Sequence, residues 1–446
     1  MFNVVDYGAV SGGEVLCREA FQKAIDACAE AGGGTVYVPG GTYLLGTVFF
    51  KDNVHIVLEA GAVILGSKDL DNDFAPDEPK TPPVYQDVSH TFFHHSLFVA
   101  EFCNHISITG PGRIDMQRAF EKEGTHRGNG ICGNGFYRGA KVIAFKECHD
   151  VILSDFSSYN ATDLNIYLAG CETVRIHKLF VDTVIDGISP DSCKDGVISD
   201  CIIHSGDDAI VPKSSYTLGR KKVMENMVIS NCVIQCDCSA IKFGTESNGG
   251  FKNIAISNCV IYDCREAAFS FESEDGGIID GITVTNITEK NVGCPFLFIL
   301  GERKRGPEET TGIGAIRNIR ISHLIHTGPY NTWPKHRSCY FRDRDTMFLD
   351  HQAGFICGLP GHYIENIRLE DIHLEMLGGQ GQDKADRVIP ETHDYPNPRT
   401  FGTLNAFGFY FRHCKNIKAI DIHAEVYEPD ARPEIVTDDV IDFVRI

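Results

Sequence analysis

The stretch HSGDDAIVPKS, His204 to Ser214, sets Asp207 and Asp208 side by side behind Gly206. Two carboxylates at one place suit general acid–base work, one donating a proton while the other accepts. On a β-strand, however, successive side chains point to opposite faces, so an Asp-Asp pair is not in itself a catalytic pair. The chain carries a second such pair, Asp438 and Asp439 in VTDDVIDF, as an internal comparison. What distinguishes the first is Gly206, which permits a bulge or bend that brings consecutive side chains to one face.

The elements that would position these residues recur along the chain. CHDVILSDF from Cys148, CETVRIHKLFV from Cys171, CKDGVISDCII from Cys193, MENMVISNCVI from Met224 and FKNIAISNCVI from Phe251 share one pattern. Each is a polar turn followed by β-branched residues alternating with polar ones, and copies lie about 22 to 30 residues apart. The pattern continues in IDGITVTNI, IRNIRISHL, IENIRLEDIHL and CKNIKAIDIHAEV. It predicts an all-β fold: a single-domain right-handed parallel β-helix over 1–446, its interior shared by neighbouring coils. One convincing helix lies in CREAFQKAIDACAEAGGG, with Phe21, Ala24, Ile25 and Cys28 on one face and glycines 32–34 ending it. It is read as the cap of an N-terminal segment of about 1–45. Longer gaps, Asp69 to His95, Met116 to Arg138 and Thr332 to Gly358, predict long groove-side loops.

Equivalent positions of successive coils stack about 4.8 Å apart. Aligning the short strands of the catalytic coils, about 160–275, puts Asn165 and Tyr167, then Asp186, then Asp207 and Asp208 in one column. Ser239 to Lys242, then Ser270 and Glu272, continue it. Carboxylates crowded on adjacent coils repel, and crowding drives their pKa values apart, as glycosidic hydrolysis requires. Lys213 either reaches this site or neutralises the aspartates, and His94 and His95 read as packed or surface residues.

The formal charge is −20, from 61 acidic and 41 basic residues, and basic runs are as short as GERKRG. No nucleic-acid partner is expected from that balance. No apolar run reaches membrane-spanning length, so no membrane partner is expected either. Seventeen cysteines in apolar contexts suit small buried side chains in a reducing compartment, and without a C-x-x-C pair no metal site is expected. MFNVVDYGAV does not read as a secretory leader, so the expected location is cytoplasmic.

DGISPDSCKDGVISDCIIHSGDDAIVPKS, Asp186 to Ser214, resembles the signature of glycoside hydrolase family 28, the polygalacturonase and rhamnogalacturonase family. FNVVDYGAV, AFQKAIDACAEAGGGTVYVPGGTYLLGTV and LEAGAVILGS are similar to its N-terminal region, and GLPGHYIENIRLEDI to its C-terminal coils. The resemblance implies an inverting hydrolase without a cofactor. Asp207 then corresponds to the general acid, and Asp186 and Asp208 to the carboxylates that position and deprotonate water. An inverting pair stands roughly 6.5–9.5 Å apart.

The chain departs from that pattern at three places. Val184 and Ile185 stand where polygalacturonases usually carry Asn-Thr, and Ser239 stands at the histidine of Gly-His-Gly. Ser270 and Glu272 replace both cations of the Arg-Ile-Lys motif that holds a galacturonate carboxylate. A glutamate facing a uronate repels it. The expected substrate is therefore an oligosaccharide other than plain polygalacturonate, cut by exo action, unless Lys242, Arg265 or Arg303 supplies the missing charge. The alternatives are a β-helix glycan lyase or transferase, and a non-catalytic carbohydrate-binding β-helix.

Overall fold

The computed structural model describes residues 1–76, 88–120, 131–132, 136–137, 139–328, 352–391 and 395–446. Most of the three expected long loops (77–87, most of 121–138, and 329–351) lies outside the described residues. The chain divides into two compact units, the first chiefly Met1–Asp207 with Thr217–Arg220, the second Asp208–Tyr216 with most of Lys221–Ile446. Each is a stack of right-handed parallel β coils.

In the first unit, strands Gly34–Val38, Val54–Leu58, Asn104–Thr109, His149–Ser154, Glu172–His177 and Lys194–Ser199 form one parallel ladder. Cys103, Cys148, Cys171 and Cys193 each precede an in-register strand start, and all four are buried. The helix Arg18–Glu30 turns Phe21, Ala24, Ile25 and Cys28 wholly inward, as its periodicity predicts, and Phe21 meets the Tyr43 ring edge-on at 5.9 Å. Fifteen of the cysteines are buried free thiols.

In the second unit the same position of six coils is filled by Met227, Ile254, Ile282, Ile319, Ile367 and Ile417, in register and buried. Identical apolar side chains stacked in this way remove nearly all their surface from water. The rings of Phe243, Phe271 and Phe298 stack at 5.0 and 4.5 Å, close to the strand spacing. At the turns, Asn231, Asn258 and Asn286 all adopt left-handed backbone and link their side-chain amides. Asn tolerates that conformation, which explains the asparagine that recurs at the turns.

A second apolar cluster in this unit lies outside the coil interior. Leu297, Ile299, Phe355 and Tyr410 pack with Phe401 and Leu404. The last two belong to residues 387–391 and 395–406, a strap without repeat character. Arg432 pins the strap by donating to the carbonyls of Leu404 and Ala406 at 3.1 and 3.2 Å.

Candidate active site

In the first unit, strand Phe180–Thr183 pairs with Ile202–Ser205, and Gly206 N donates to Thr183 O at 3.0 Å. The strand stops at Ser205 and the backbone bends at Gly206, so strand alternation does not govern the two aspartates. The Ser205 hydroxyl donates to the Asp207 carbonyl at 3.1 Å, and the Asp207 side chain is partly exposed. Asp186 is buried; its carbonyl accepts from Asn165 N at 2.9 Å and its carboxylate from the Ser189 hydroxyl at 3.4 Å.

The comparison pair behaves differently. Asp438 and Asp439 sit within strand Ile435–Arg445. Asp438 accepts from Arg412 Nε at 3.2 Å, while Asp439 contacts His413 Nδ1 at 2.7 Å. Each thus serves a different neighbour on the adjacent strand.

The second unit assembles five of the expected residues. Asp208 Oδ1 accepts from Ser239 N at 2.8 Å, and Asp208 Oδ2 lies 3.1 Å from Lys242 Nζ. Lys242 stands opposite Ser270 in the ladder, and the Ser270 hydroxyl donates to Ser239 Oγ at 3.1 Å. Glu272 Oε2 lies 3.9 Å from the same ammonium and has no hydrogen-bond partner among the described residues. Burial pushes the Glu272 carboxyl well above the usual range, against the attraction of Lys242 and with help from Asp208. Burial also works against the Lys242 charge, but Asp208 and Glu272 outweigh it and hold the ammonium well above the usual lysine value.

Every other cation proposed for the site is ion-paired. Arg303 is expected among the sugar contacts; its guanidinium instead grips the fully buried Asp275 through Nε and Nη2, with Glu246 3.7 Å from Nη1. Lys213 donates to Glu246 at 3.1 Å, and Arg265 Nε lies 3.5 Å from Asp237. Asn165 and Tyr167, also expected to touch sugar, are fully buried. The Tyr167 hydroxyl donates to Asp191 at 3.0 Å, and its ring packs in an apolar cluster with Phe93, Val184 and Ile185. That cluster accounts for the two apolar residues ahead of Asp186. His94 contacts Glu101 at 2.7 Å, and His95 is buried against Phe74.

Two strap residues escaped the sequence reading. Lys242 Nζ donates to Tyr395 Oη at 3.2 Å and lies 5.4 Å from that ring's centre, and Arg399 lies 3.5 Å from Glu266. No periodicity announces either residue.

The chain belongs to the rhamnogalacturonase A/epimerase, pectate lyase-like family, whose model matches residues 1–290, and the family-28 resemblance is borne out. It is 25% identical to a probable polygalacturonase of Vitis vinifera over 66% of this chain, and spans only 62% of that relative's length. An exopolygalacturonase of Thermotoga maritima superposes with a TM-score of 0.64 at 21% identity, over 84% of this chain and 86% of that one. A family 28 exopolygalacturonase of Yersinia enterocolitica gives 0.68 at 16% identity, over 99% and 77%. These structures share the fold. No helix among the described residues is long and apolar enough to cross a membrane.

Proposed function

We propose that this protein is an inverting glycoside hydrolase that removes sugar units from the end of a pectic or related oligosaccharide, with a neutral sugar beside the cut bond. Asp207 acts as general acid, and Asp186 and Asp208 position and deprotonate the attacking water. The partial exposure of Asp207 suits a group that must reach a glycosidic oxygen. Asp208 accepts from Ser239 N on one oxygen and is ion-paired to Lys242 through the other, which suits a carboxylate held ionised.

One observation carries the choice of substrate: Lys242 is already committed to Asp208 and Glu272. With Arg303, Arg265 and Lys213 paired as well, a uronate carboxylate has no uncommitted cation among the residues proposed for it. The likeness to a grape probable polygalacturonase and to exopolygalacturonases of Thermotoga and Yersinia supports pectic material as the substrate class. Exo action is supported by the strap, whose Phe401 and Leu404 cover the sheet face one coil beyond Glu272. The buried free thiols support a cytoplasmic location.

The test is a panel of aryl α-glycosides and pectic oligosaccharides, with the anomer of the first-formed product read by NMR. Release of single units with inverted configuration from a neutral-sugar end supports the reading. Unsaturated products absorbing in the ultraviolet would establish a lyase instead.

A further inference from the structure

Among the described strap residues, Tyr395 reaches Lys242. Its hydroxyl is tied to a buried ammonium, yet 53% of the residue remains exposed. Other strap contacts are Phe401 and Leu404 in the outer cluster, the carbonyls held by Arg432, and Arg399 at 3.5 Å from Glu266. A half-exposed aromatic residue fixed at its polar tip and set beside the lysine that pairs with a candidate catalytic carboxylate has the form of a sugar platform. Tyrosine supplies apolar area for the C–H face of a pyranose at low conformational cost. Its hydroxyl contact with Lys242 fixes the ring's position before a ligand arrives.

We propose that Tyr395 is a substrate-contacting residue, the wall of the subsite next to Asp208, on which a neutral sugar ring stacks. This rests on the hydrolase reading above and adds to it a specificity element that lies outside the coil repeat. The strap thereby acts twice, covering the sheet face beyond Glu272 and presenting an aromatic surface at its tip.

The test compares Tyr395→Ala, Tyr395→Phe and Val388→Ala in the full chain, the last being an exposed strap residue. On the best substrate of the panel, Tyr395→Ala raises KM roughly tenfold with kcat changed far less. Tyr395→Phe recovers most of that loss, and Val388→Ala matches the parent. Calorimetry of the same oligosaccharide with Asp207→Asn, with and without Tyr395→Ala, reads the contact without turnover. Tyr395→Ala with an unaltered KM and calorimetric affinity, in a protein of parental thermal stability, overturns the platform while leaving the hydrolase intact. A parent that neither cleaves nor binds any member of the panel overturns the hydrolase reading, and the platform with it.

Discussion

Lys242 Nζ lies 3.1 Å from Asp208 Oδ2 and 3.9 Å from Glu272 Oε2, so one buried ammonium serves two buried carboxylates. Glu272, whose carboxyl burial holds well above the usual range, supplies no compensating charge for a uronate, and the nearby lysine is already paired with Asp208. A substrate carboxylate entering here would have to compete with Asp208 for Lys242 and approach Glu272 as well.

Removing the cation leaves the buried Asp208 and Glu272 carboxyl groups without compensation. Lys242→Met is expected to cost about 3–5 kcal/mol of stability by urea denaturation, because breaking a buried pair strands the remaining charge. Adding Asp208→Asn should return part of that loss. A double variant no better than the single one would show that the 3.1 Å contact contributes little.

The two Asp-Asp pairs should separate cleanly under mutation. Asp207→Asn is expected to lower kcat by about a hundredfold to ten-thousandfold with an unchanged thermal transition. Asp438→Asn, which removes a half-exposed partner of Arg412, is expected to leave kcat intact and cost no more than about 1 kcal/mol. Equal kinetic effects at the two positions would remove the case for Asp207 as the acid.

Much of this site was legible because a solenoid converts sequence period into spatial neighbourhood. The helix face of Phe21, Ala24, Ile25 and Cys28 and the cysteines at coil positions are interior, as their patterns imply. Asp208, Ser239, Lys242, Ser270 and Glu272 meet because their coils are consecutive. What the pattern cannot give is pairing. Arg303 and Lys213 look like candidate sugar contacts until Asp275 and Glu246 are found against them. Tyr167 looks accessible until Phe93 packs over it. Tyr395 joins Lys242 from 153 residues away through a segment with no period.

Stability should also depend on pH through Glu274, which follows Glu272 by two residues. Burial raises its carboxyl to about 7 against the pull of Arg303. In acid, below the ordinary value of 4.5, the group is protonated in the folded and unfolded chains alike and exacts no penalty. As pH rises through about 7 the folded protein must ionise a buried group that the unfolded chain has already ionised in water, so stability falls. The total loss is on the order of 3 kcal/mol. Glu274→Gln should therefore be more stable than the parent at pH 8 and level with it at pH 4, read from urea midpoints. A variant less stable at pH 8 would mean that ionised Glu274 is favourably held in the fold.

The turn ladder offers a prediction whose sign reverses an ordinary rule. Asn258 holds φ at 58°, donates to Asn231 Oδ1 at 3.3 Å and accepts from Asn286 Nδ2 at 2.7 Å. Both Asn258→Ala and Asn258→Gly lose those two bonds, each worth about 1 kcal/mol or less at an exposed turn. Alanine additionally carries a Cβ into left-handed backbone at a cost of roughly 1–2 kcal/mol, which glycine avoids. In an ordinary strand position glycine is the worse of the two; here the alanine variant should be the less stable by urea denaturation. If glycine proved the less stable, its greater freedom in the unfolded chain would outweigh the backbone strain, and the recurrence of asparagine at these turns would then rest on its amide ladder alone.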